Sequence, residues 1–165
     1  MSHPLFLELL EGFARLSKIE NAGLFLKDRV VKVDGVTFSL IYDEQVADIV
    51  FIYVDFGDLP SDRALEICRA LLEANMFLFA SKQQISFVIS PNTKNVTLAC
   101  RVELSKLTPT KLRTLLADLS AKARQWRNNF FFDLKPIPSA PGSESFQSRN
   151  LAFLKKGGRA TRSRS

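Results

Sequence analysis

A single histidine and two cysteines among 165 residues leave little material for the commonest catalytic and metal-binding arrangements. His3 has no second histidine to work with, so an imidazole base or a histidine-based metal site lacks its parts. Cys68 and Cys100 show no CxxC or Cys/His spacing and fall inside apolar periodic segments. That pattern predicts two buried, reduced thiols and a cytoplasmic setting. GxGxxG, the P-loop, GxSxG and zinc-ligand spacings are all missing. Asp43, Glu44 and Asp48 cluster in an expected turn without a histidine neighbour and read as solvating loop charges. The expectation is no catalytic, cofactor-binding or metal residues, and no enzyme. No apolar run approaches the ~20 residues of a spanning helix, and the opening MSHPLFLELLEGFARL, with Glu8 and Glu11 in it and no basic lead-in, predicts no export signal.

What the chain does have is an excess of positive charge, unevenly placed. Of the net +6, residues 133–165 carry +5, from seven Lys/Arg against two acids. The first 132 residues are nearly neutral, so the basic character belongs to the end of the chain. The stretch DLKPIPSAPGSESFQSRN is rich in proline and serine, and KKGGRATRSRS closes the sequence. Such composition buries too little apolar surface to order itself. The expected organisation is one domain over 1–132 and a Pro/Ser-rich linker with a basic tail over 133–165, carrying a short apolar patch at Leu151, Phe153 and Leu154.

Inside the domain the hydrophobic period alternates between helix and strand. Leu5, Leu9, Phe13 and Leu16 set a first helix, with Phe6 and Leu10 as its shoulder and Pro4 at its first position. Gly23 is read as the break before a β region. Asp34-Gly35 is the dipeptide of a two-residue type I′ turn and joins strands over 29–33 and 36–42. Residues 48–56 are apolar on both faces, which predicts a central strand covered on both sides. A second helix runs from Ser61 or Asp62 to about Met76, and its apolar residues span about 180° of the wheel, against the ~100° that one core contact uses. Strands at 85–89 and 96–103 form another hairpin. Thr108-Pro109 opens a last helix with Leu112, Leu115, Leu116, Leu119, Ala123 and Trp126 on one face. The class is α+β, in the order α-βββ-α-ββ-α, with helices packed against a twisted antiparallel sheet.

The surplus apolar surface on the second helix, with the Phe6/Leu10 shoulder and the Phe130-Phe131-Phe132 run, predicts a partner. A symmetric homodimer is the commonest solution. Nucleic acid is the competing reading: the Arg-rich tail could bind phosphates and Phe51, Tyr53 and Phe87 could stack bases, but the near-neutral domain favours a core role for these aromatics.

Phe56-Gly-Asp-Leu-Pro60, a helix ending in Leu71-Leu-Glu-Ala-Asn75, a hairpin, and a leucine-rich helix closing on Trp126-Arg127 together resemble the type III secretion chaperones of the Tir-chaperone, CesT-like kind. The resemblance covers about 5–127. It implies a cytoplasmic homodimer paired through the second helix, at Leu65, Cys68, Leu72 and Met76. It further implies binding of the N-terminal segments of secreted effectors and delivery to the secretion ATPase, without chemistry on the client. Client contact would fall on Phe6, Leu10, Phe13, Val36, Phe38 and Leu40, through strand addition and apolar anchors. The chain departs from the often acidic composition of that family and adds a basic tail. YbjN-like regulators are similar in the same Leu-Leu and closing-Trp features.

Overall fold

Ten short segments of alternating period fold into one sheet with helices on one of its faces. The computed structural model describes residues 4–43, 45–46, 48–79 and 85–130. The order is α1 (Pro4–Leu16), α2 (Ala22–Asp28), β1 (Val30–Val33), β2 (Val36–Tyr42), β3 (Ile49–Gly57), α3 (Ala64–Phe79), β4 (Ile85–Ile89), β5 (Val96–Glu103), a 3₁₀ turn (Leu104–Lys106) and α4 (Pro109–Asn129). The sheet is antiparallel throughout, in the order β1-β2-β3-β5-β4. The class is α+β, as the sequence predicts, with one additional short helix. The tail expected over 133–165, Phe131, Phe132 and the N-terminal residues 1–3 lie outside the described residues.

Period two decides which side chains enter the core. On β2 Val36, Phe38 and Leu40, on β3 Val50, Ile52, Val54 and Phe56, and on β5 Val96, Leu98 and Cys100 all point to the helix-covered face and are buried. Phe38 opposes Val54, and Ile52 opposes Cys100, so these side chains form continuous rows across the strands. The 48–56 segment is the centre of the sheet as expected, but its other face, with Phe51 and Tyr53, is only half-buried. Of the three aromatics weighed for base stacking, Phe87 alone joins the core; Phe51 and Tyr53 lie on the opposite face.

On α1 the buried side chains are Phe6, Leu9, Leu10, Phe13 and Ala14, while Leu5 and Leu16 are exposed. Phe6 and Leu10, expected at the shoulder, are the centre of the buried stripe. The reason is α2: Phe25 packs against Phe13 with ring centroids 5.7 Å apart, which rotates the buried face toward that side. Gly23 lies inside α2 rather than ending a helix, and the break comes at Arg29, a left-handed C-cap whose N–H bonds to Phe25 O.

The Asp34-Gly35 turn adopts positive φ at both residues, +46° and +80°, the backbone of a type I′ hairpin. Thr108 caps α4 by accepting from Lys111 N, with Pro109 at the first position. At its other end Trp126 is fully buried between Phe56 and Phe130, with centroids 5.9 and 5.1 Å away.

Candidate interaction surfaces

Helix α3 is apolar on two sides, and only one of them is used within the chain. Ile67, Leu71 and Ala74 are buried in the core. Leu65, Cys68, Leu72 and Met76 form a second stripe about 135° around the helix from the first, at 100° per residue. Leu65 is 77% exposed, Leu72 71% and Met76 48%, with Cys68 half-buried. The four residues expected at a dimer interface therefore share one outward stripe. Charged groups flank it: Arg63 Nε lies 3.0 Å from Glu66 Oε2, holding that carboxyl below the usual range and the guanidinium above its own. A shallow depression here is lined by residues of α3 and its lead-in, among them Asp62, Arg63, Leu65 and Glu73, and is open to solvent.

The six residues expected to touch a client are placed differently. Phe6, Leu10, Phe13, Val36, Phe38 and Leu40 are each 1% exposed or less and belong to the core. Alternation along β2 turns Val36, Phe38 and Leu40 to the helix side, and α2 closes over Phe13. In this conformation they are covered by the chain's own helices and strands.

Sequence reasoning missed the two edges of the sheet, which are not alike. On β4, Asn75 of α3 donates Nδ2–H to Phe87 O at 3.0 Å and accepts from Phe87 N at 2.6 Å. Its side-chain amide imitates a neighbouring strand, so the β4 edge is occupied at its middle residue. On β1, Leu40 N donates to Arg29 O, and the register pairs Val31 with Phe38 and Val33 with Val36. By antiparallel alternation Arg29, Val31 and Val33 turn their backbone groups to β2, and Val30 and Lys32 turn theirs outward. Among the described residues, β1 is the open edge. Nothing in composition marks Asn75 as an edge cap; its place at the end of the Leu71-Leu-Glu-Ala-Asn75 segment is the only signal.

At the far end of the sheet Arg127 fastens three elements together. Its Nε donates to Phe56 O at 2.7 Å, Nη2 to Asp55 O at 2.9 Å and Nη1 to Gly35 O at 3.1 Å. The clamp joins α4 to the end of β3 and to the β1–β2 turn, and so holds the open edge in place. Among the described residues no group of three or more His, Cys, Asp or Glu gathers as a metal site, and no helix is long and apolar enough to cross a membrane.

The order of elements, the outward α3 stripe and the Asn75 and Trp126-Arg127 positions fall within residues 8–127, which match the model of the Tir chaperone protein (CesT) family. The chain belongs to that family. Solved structures similar to this CesT-family chain include the ExsC–ExsE complex, with a TM-score of 0.47 and 16% identity over 63% of this chain and 76% of that one. Another is the Yersinia pestis type III secretion chaperone SycH in complex with a stable fragment of YscM2, with a TM-score of 0.48 and 19% identity over 72% of this chain and 96% of that one. No curated protein matches in sequence. The segments on which the resemblance rested have physical roles in this CesT-family fold: Asn75 closes an edge, Trp126 fills the core, and Arg127 ties the ends of three strands.

Proposed function

We propose that this CesT-family protein is a type III secretion chaperone that binds the N-terminal segments of effector proteins in the bacterial cytosol. It keeps them soluble and extended and passes them to the secretion ATPase. The observation that carries this reading is the family match over 8–127. The outward stripe of Leu65, Cys68, Leu72 and Met76 supports a homodimer paired through α3, since an apolar face this exposed on a small domain calls for a partner. Client contact falls on the open β1 edge, where backbone groups of Val30 and Lys32 can take an added strand. The six buried residues act behind that edge as the scaffold. The protein does no chemistry on its client, and uses no cofactor.

Affinity capture from a lysate of the source bacterium, with mass spectrometry of the bound proteins and light scattering of the complex, tests the reading. A secreted protein bound to the chaperone dimer is the expected result; nucleic acid in its place would move the function to the basic tail.

A further inference from the structure

Resting on strand addition at β1, the chemistry of that edge specifies what kind of strand it takes. Lys32 is the one charged residue of β1, and its side chain is exposed on the sheet face away from the helices. Its cross-strand neighbour on β2 is Thr37, and the next position on that face is Ser39, so the adjoining strand supplies no carboxylate. Lys32 also has no ion-pair partner among the described residues. The only strand neighbour left to neutralise it is one that arrives from outside. The flanking residues Val31 and Val33 face the helix side, Val31 buried and Val33 half-buried against the core. Residues opposite these two would extend the apolar layer. Because Val30 and Lys32 carry the outward backbone groups, the incoming residue opposite Lys32 exchanges N–H and C=O with it and lies on the same face.

We infer that β1 selects client strands with an apolar–acidic–apolar pattern, the acidic residue sitting opposite Lys32. An antiparallel segment then meets Val33, Lys32 and Val31 in turn, with two apolar side chains added to the inner layer and one carboxylate paired on the outer face.

The test uses the ¹⁵N-labelled full chain titrated with two synthetic ten-residue peptides that differ only in a central Val-Glu-Val or Val-Lys-Val. Wild-type protein is expected to bind the glutamate peptide about fivefold more tightly, the scale of an opposite-charge against a like-charge cross-strand pair. The amides of Val30 and Lys32 should shift first. Lys32→Glu should invert the preference, and because Lys32 is exposed this variant retains the fold. Lys32→Pro removes one outward N–H without breaking a β1–β2 bond, and should weaken both peptides. Equal affinities, or a preference that Lys32→Glu leaves unchanged, overturn the charge selection; if Lys32→Pro still weakens both peptides, strand addition itself survives. Peptides that bind Lys32→Pro as well as wild type, or that never shift the Val30 and Lys32 amides, overturn the β1 docking and the selection with it.

Discussion

Arg127 donates three hydrogen bonds to three main-chain carbonyls, a task for a rigid planar fork. A lysine ammonium at that position reaches at most part of the set, so charge-assisted bonds between α4 and the sheet are lost. Arg127→Lys should lower the unfolding free energy by about 2 kcal/mol in urea denaturation. The two thiols should also separate. Burial pushes the Cys100 thiol from its ordinary 9.0 up to about 12, against a smaller opposing pull from the Lys122 charge. In a chain carrying Leu65→Glu and Leu72→Glu, which leaves the α3 stripe uncovered, iodoacetamide at pH 8 should therefore modify Cys68 well before Cys100, as mass spectrometry of the peptides will report. Since the folded chain holds the Cys100 proton more tightly than the unfolded one, this group's contribution is complete below pH 9. It is lost as the pH climbs toward 12, so stability should fall across that window.

At the scale of elements, helix packing is close where glycine permits it. A Cβ on Gly12 of α1 would stand 2.6 Å from Pro109 Cγ at the start of α4, and a proline ring cannot swing away. Gly12→Ala should cost about 1–3 kcal/mol through displacement of one helix from the other, measured by thermal unfolding. The strands and three of the helices were legible because their periods, the Asp34-Gly35 turn and the Thr108-Pro109 cap are local signals. Helix α2 was not: with seven residues it gives too little period, and Gly23 imitates a break. Its presence changed which side of α1 is buried. The α3 stripe was visible as surplus apolar arc, whereas the burial of Phe6, Leu10, Phe13, Val36, Phe38 and Leu40 was not, because sequence shows that a residue is apolar but not which neighbour covers it.

For the whole molecule, the decisive quantity is the state of association. Leu65→Glu with Leu72→Glu places two charges on the outward α3 stripe and touches none of the buried Ile67, Leu71 and Ala74. Light scattering should then report a monomer whose circular dichroism matches wild type; an unchanged dimer would remove α3 from the interface. Asn75→Ala should leave pairing intact while uncovering Phe87 N and O, and its aggregation rate on heating should exceed that of wild type. A sheet that is receptive at both margins can recruit one strand after another without limit, which is how fibrils propagate. Here one margin is blocked at its middle residue by a side-chain amide, so growth by strand recruitment is left a single direction, outward from β1.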